Sequence, residues 1–293
     1  MQIKKSTIML SIFILAAAVL LNHFTGCSQN PQSLKGKGLR VYIHADMDGA
    51  SGVVTFEKHA LPPGALYEQS KILNTMEVNA AIEALLEEGV SEIVVLDDHG
   101  PGGINIDYLN PAAELIMGHG EPVTIDNSFD FQLILGKHAM PNTPNANLAH
   151  AFSLKINNIW LNGKLAGEIS DTVLLASYFN VPTIFLAGCQ EACNEITDLI
   201  PKIETVAVKK GLGMRAAWCL SPEKARKEIK AGVKRAMKRM KEIEIYRVEP
   251  PYKFIIEHTD AERTEYQSKR YGWKRISDTK CTYTINDYIR RKF

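Results

Sequence analysis

The chain has 293 residues, 45% hydrophobic and 23% charged, which excludes a disordered tail and provides a sizeable core for one large or two modest domains. Thirty-four Lys and Arg against 33 Asp and Glu leave a formal charge of +1, too weak a field to recruit nucleic acid or anionic lipid by itself. Five cysteines without regular Cys/His spacing exclude a disulfide scaffold or a zinc ribbon as the organising principle.

Residues 1–27 combine Lys4 and Lys5, an apolar run from Ile8 to Leu21, and small residues leading to Cys27. This order is that of a signal peptide. Phe24-Thr25-Gly26-Cys27 resembles the lipobox of bacterial lipoproteins, with Phe24 in place of a smaller aliphatic residue. It implies export and a lipid anchor through Cys27, with the domain on the periplasmic or extracellular face. The alternatives are an uncleaved anchor, since Thr7 to Phe24 approaches the length of a short spanning helix, or an ordinary signal peptide. Residues 28–38, polar and containing Gly and Pro, read as a flexible tether.

From Leu39 to Ala45 a short apolar strand runs into Asp46-Met47-Asp48-Gly49, and Ile72, Met76, Ala80 and Leu85 then recur at helical spacing until Gly89. Glu92 to Leu96 is a second buried strand, so the order is βαβ and both strands end at one edge of a parallel sheet. Ligands bind at that edge. Further strands are expected at Gln132–Gly136 and Pro182–Gly188, with a hairpin around Asn162-Gly163 and a helix from about Glu168. The fold class is α/β, a parallel sheet with helices on both faces. It should occupy residues 39–200 and be followed by a smaller α+β domain at 201–293. That second domain contains strands near Thr205–Val208 and Met214–Cys219, then a helix with Ser221 as N-cap and Pro222 at its first position. Ala225, Ile229, Val233, Met237 and Met240 form one apolar stripe on this helix, so its many basic residues read as a solvated face.

Asp46 and Asp48, two apart at a strand exit, point to one side and can grip a cation. Repulsion between close carboxylates makes an empty site costly. The pattern is also ordinary turn chemistry, so alone it is ambiguous. The second strand, however, ends Asp97-Asp98-His99, and the third ends Gly136-Lys137-His138. Three strand ends thus deliver Asp, His and His to one rim, the donor set of a transition-metal site. Glu168, at a helix start, is a further carboxylate candidate, or else a helix-dipole partner.

These residues resemble the binuclear zinc D-aminopeptidases of the DppA type. The shared blocks are Ala45-Asp-Met-Asp-Gly-Ala-Ser-Gly52, Asp97-Asp-His99, Leu135-Gly-Lys-His-Ala139, Thr143-Pro144 through Ala149-His150, Leu161-Asn-Gly-Lys-Leu-Ala-Gly-Glu168 and Val206-Ala-Val-Lys-Lys-Gly211, spanning roughly residues 39–290. The resemblance implies two zinc ions per subunit held by Asp46, Asp48, His99, His138 and Glu168, with Asp46 shared and His150 catalytic. It also implies a ring-shaped homo-oligomer. The expected activity is release of N-terminal D-amino acids, of the D-Ala class, from short peptides, by metal-activated water with His150 as proton shuttle. Other classes compatible with the residues are another binuclear metallohydrolase, such as a phosphoesterase, and a peptide-binding lipoprotein without turnover.

The chain departs from the family at several points: Asp48 stands where glutamate is usual, and Lys71 where arginine is common, and the runs after Glu168 and Gly188 also differ. Cys189 and Cys193, four apart, read as packing thiols, whereas Cys219 and Cys281 are candidates for a bridge in an oxidising compartment. His44, His59, His119 and His258 match no motif and read as structural or surface residues.

Overall fold

A computed structural model describes residues 38–118 and 123–292. The expected signal peptide, the expected anchor at Cys27, the expected tether up to residue 37 and His119 lie outside the described residues. Gly38 to the C-terminus forms one compact unit.

The first sheet contains seven strands: β1 (Leu39–Ala45), β2 (Val90–Asp97), β3 (Ala113–Ile116), β4 (Phe131–Lys137), β7 (Thr183–Cys189), β8 (Glu204–Gly213) and β9 (Ala216–Cys219). They lie in the order β3-β2-β1-β4-β7-β8-β9, parallel except for the antiparallel edge strand β9. Helices α1 (Tyr67–Glu87) and α4 (Pro222–Arg239) cover one face, where Val41, Ile43, Leu133 and Leu135 meet Val78, Ile82, Ile229 and Val233 in one buried cluster. On the other face Tyr42 and Val94 pack with Phe129, Val181 and Ala176 of helix α2 (Glu168–Tyr178). Each large apolar side chain buried in this way contributes ~1.5–3 kcal/mol. A parallel sheet covered on both faces requires such continuously apolar strands, and β4 and β7 are buried along their whole length.

The second sheet has five antiparallel strands in the order β11-β12-β10-β5-β6: β5 (Ile156–Leu161), β6 (Lys164–Ala166), β10 (Tyr252–His258), β11 (Lys274–Arg275) and β12 (Lys280–Ile285). The helices α3 (Gln190–Leu199) and α5 (Ala261–Ser268) complete the unit.

The expected boundary at residue 200 does not coincide with the division between the sheets. Strands β8 and β9 and helix α4 extend the parallel layer, while β5 and β6, from before residue 200, pair into the antiparallel sheet. A strand's apolar pattern specifies burial but not which sheet supplies its partner, so the sequence carries no signal for this crossing. The α1 stripe is also rotated: Ile72 and Met76 are half-buried, whereas Asn74, Val78, Ala81, Ile82 and Leu85 are buried. The helix is wedged between the sheet and α4, where Lys230 reaches Glu83 and Glu87 at 2.9 and 2.8 Å. Ser221 occupies the N-cap of α4 but makes no side-chain capping bond. All four described cysteines, including Cys219 and Cys281, are free thiols.

Candidate metal centre

The carboxyl ends of β1, β2 and β4 form the floor of the site. The backbone N–H of Asp46 continues the ladder to Leu135 O (2.9 Å) and Gly49 N–H reaches Gly136 O (2.7 Å), which folds the Asp46–Gly49 turn back over β4. Gly136 has φ +62°, and a Cβ there would stand 2.2 Å from Asp46 O. Only glycine accepts this conformation at this close approach.

Asp46, Asp48, His99, His138 and Glu168 meet beside His150, so the six residues singled out by sequence share one site. Their donor atoms form three overlapping groups, Asp46–Asp48–His99, Asp46–His138–Glu168 and Asp48–His138–His150, each with its atoms within 4.8 Å of one another. Asp46 belongs to two of them, one through each carboxylate oxygen: His99 Nδ1 is 3.1 Å from Oδ1, and His138 Nε2 is 3.3 Å from Oδ2.

Backbone carbonyls set the orientation of all three imidazoles. His99 Nε2 lies 2.7 Å from Ala60 O, His138 Nδ1 3.0 Å from Ala139 O, and His150 Nδ1 2.9 Å from Leu148 O. With these nitrogens donating, His99 Nδ1, His138 Nε2 and His150 Nε2 are left as lone-pair donors toward the cluster, the tautomer arrangement that metal-binding histidines need. The His138 and His150 rings stack at 3.9 Å, and Phe56 meets His150 edge-on at 5.3 Å.

The donor set fits a divalent transition metal. His138 Nε2 is buried 3.3 Å from Asp46 Oδ2 and 3.5 Å from Glu168 Oε2 but outside hydrogen-bond geometry, and Asp48 Oδ1 is buried without a hydrogen-bond partner. Buried polar atoms are ordinarily paired, and a cation satisfies both of these. Burial raises the Asp48 carboxyl, and the charge of Asp46 raises it further. Burial acts the same way on Asp46 and Glu168, but the Lys137 ammonium and the histidines outweigh it and hold both well below the carboxylate range. For His99 burial is overridden by Asp46 and Asp48, which push it up to about 9. Burial and the neighbouring His138 lower His150.

Sequence reasoning gave no role to Lys137, which is fully buried with its Nζ 2.6 Å from Glu168 Oε2, 3.0 Å from Asp46 Oδ2 and 3.5 Å from Asp98 Oδ2. Its position at the end of β4, directly before a candidate ligand histidine, was the available signal. Lys209, the first lysine of the Lys209-Lys210 pair, is also buried; its ammonium donates to Asp48 O and Val53 O at 2.5 Å and to Asn147 Oδ1 at 2.9 Å. Asp97 turns away from the centre to accept from the N–H groups of Gly103 and Ile104. His44 is buried under the sheet edge, 3.4 Å from Asp98. Lys71 pairs with Glu68 and lies over the Tyr67 ring.

The segment carrying His150 is held in an unusual backbone. Asn142, Asn145, Leu148 and Phe152 all have positive φ. Asn147 fixes the segment by donating to Val54 O and Met214 O, and the Leu148 N–H bonds Met214 O at 3.2 Å. Phe152 N–H donates to Glu168 Oε1 at 2.5 Å, tying the segment to the first residue of α2.

Three comparisons with known proteins place the chain in a family. The family described as D-aminopeptidase matches residues 39–291. A D-aminopeptidase of Bacillus subtilis (strain 168) is 31% identical over 194 residues, 64% of this chain and 69% of the relative. A solved structure described as the Zn-dependent D-aminopeptidase DppA from Bacillus subtilis, a self-compartmentalizing protease, matches with a TM-score of 0.82 at 25% identity, over 86% of this chain and 93% of that one. Of the three readings open to the sequence, these favour the aminopeptidase, and the chain belongs to the D-aminopeptidase family of metallopeptidases.

Proposed function

We propose that the protein removes N-terminal D-amino acids, of the D-alanine class, from short peptides, using two zinc ions held by Asp46, Asp48, His99, His138 and Glu168. The observation that carries the reading is the overlap of donor groups through Asp46, whose two oxygens face different histidines. A carboxylate so placed would offer one oxygen to each of two cations. Zinc, when bound, polarises the scissile carbonyl and renders water nucleophilic near neutral pH.

The remaining steps fall to side chains of this chain. His150 acts as the proton shuttle: its Nδ1 is committed to Leu148 O, and its Nε2 points at the cluster, 3.7 Å from Asp48 Oδ2 and 4.0 Å from Glu168 Oε1. It takes a proton from the attacking water and delivers it to the leaving amine. Lys209 holds the Asp48 turn through its carbonyl. Asp48, one methylene shorter than glutamate, is carried to the cluster by this turn rather than by its own reach.

The N-terminal sequence supports export and a lipid anchor at Cys27, and peptides containing D-alanine suit such a compartment. Leu212, Met214 and Trp218, all exposed on the β8–β9 hairpin, support a homo-oligomer related to the self-compartmentalizing relative. A strict monomer by light scattering would remove that part.

The test uses zinc-loaded and chelator-stripped protein against paired D-Ala and L-Ala dipeptides, with released amine counted. Zinc-dependent cleavage of the D-form alone is expected. His150→Ala should lose turnover by ~10²–10⁴-fold while retaining its zinc. Loss of zinc in that variant would make His150 a ligand instead.

A further inference from the structure

The lysine at the end of β4 stands where a cation belongs. Lys137 Nζ bonds Glu168 Oε2 at 2.6 Å and Asp46 Oδ2 at 3.0 Å, and these same two oxygens face His138 Nε2 at 3.5 and 3.3 Å. A zinc ion binds carboxylate oxygen at about 2.0–2.2 Å. An ion held by this group therefore enters the space the ammonium occupies, and two cations at such separation repel strongly away from water.

The ammonium does not reach solvent from this position. The lysine side chain is fully buried, and its carbonyl lies so close to Gly188 that a Cβ there would stand 2.0 Å from it. Any rearrangement is confined to the side chain. Within its reach is a third carboxylate, Asp98, with Oδ2 3.5 Å away. Asp98 belongs to none of the three metal-capable groups, is partly exposed, and forms part of the wall of a cavity of about 960 Å³ shared with His44, Phe152 and Glu168.

We propose that Lys137 competes with metal for the position between Asp46 and Glu168, and that Asp98 is the acceptor to which its ammonium transfers when a metal ion takes those carboxylates. The inference rests on the metal-centre reading above. The two donor groups that share Asp46 are then unequal: the Asp46–Asp48–His99 group binds its ion unopposed, and the Asp46–His138–Glu168 group binds only by displacing the lysine. Metal loading becomes sequential, and Asp98 sets how easily the second ion enters.

The experiment is zinc titration of the full chain against a chromophoric chelator, comparing the wild type with Lys137→Met, Asp98→Asn and the double variant. The wild type should show two constants well apart. Lys137→Met should tighten the weaker one by about tenfold or more, and Asp98→Asn should weaken it by about threefold to tenfold because the displaced ammonium loses its acceptor. The double variant should match Lys137→Met, since Asp98 acts only through the lysine. Should Lys137→Met not fold, Lys137→Gln carries the same expectation. An unchanged or weakened second constant on removing the lysine, or an Asp98→Asn effect of equal size with and without the lysine, would overturn the proposal. Wild-type protein that binds no zinc would instead overturn the metal-centre reading itself.

Discussion

The seven-stranded sheet ends in buried charge, with Asp46, Asp48, Lys137 and Lys209 all nearly inaccessible, whereas the five-stranded sheet closes over Phe254, Ile256, Trp273 and Tyr283. Buried polar residues around the second sheet, His258, Thr264 and Gln267, carry no formal charge, and burial keeps His258 below the usual imidazole value. The first sheet thus depends on exact pairing of ions, each of which is costly to strand alone. The second depends on apolar area, which tolerates small shifts. They are joined where β6 leads through Gly167 into α2, whose first residue is Glu168. The apolar sheet is the mount for one carboxylate of the charged one, and Tyr288 and Arg291 strengthen that mount by binding Asp171 on the same helix.

Four substitutions test the contrast. Asp46→Ala should lower peptide hydrolysis by ~10³-fold and release zinc, and because it strands the buried Lys137 and His99 it should also cost about 3–5 kcal/mol in denaturant unfolding. Retained zinc at full stoichiometry would show that Asp46 is not the bridging group. Phe254→Ala should cost about 3–5 kcal/mol in denaturant unfolding. Zinc affinity in the surviving folded fraction should be unchanged, and a parallel loss of affinity would mean the two sheets are not energetically separable.

Gly136→Ala brings both contrasted features together, because the added Cβ meets Asp46 O and the positive φ resists a side chain. It should cost about 1–3 kcal/mol and also weaken zinc binding, a joint effect that Phe254→Ala lacks. The smallest effect concerns Glu77, a buried carboxyl in α1 that accepts the Ser51 N–H and is pushed up to about 8 by burial. Between the ordinary carboxylate value and about 8 the folded protein keeps a proton that the unfolded chain releases, so stability falls as pH rises through that window. Glu77→Gln should flatten this slope and raise the melting temperature at pH 9, with no gain at pH 5. An identical pH slope in both proteins would show that Glu77 does not bind that proton.

The strand ends were legible because Asp46 directly follows the mostly buried strand Leu39–Ala45 and His138 the wholly buried strand Phe131–Lys137. Parallel topology then brings them to one rim without further information. Lys137, at the end of its strand, and Lys209, in the middle of its own, were not assigned because a strand lysine ordinarily reaches water; their burial depends on neighbours up to 161 residues away. The division of strands between sheets was hidden for a related reason. Ile156–Leu161 carries a burial pattern that either sheet would accept, and the choice is made by pairing with β10, about a hundred residues later.

The anchoring of the His150 segment has a consequence for the order of events during synthesis. Asp46, His99 and His138 have all left the ribosome early, but Leu148 is held by Met214, Asn147 by Lys209, and the Glu168 helix by Tyr288 and Arg291 at the far end of the chain. A growing polypeptide therefore acquires most of its metal donors long before it can fix the imidazole and carboxylate that complete the site. The imidazole and the Glu168 carboxylate are thus fixed by partners that lie 62 to 120 residues further along the chain than the residues they hold.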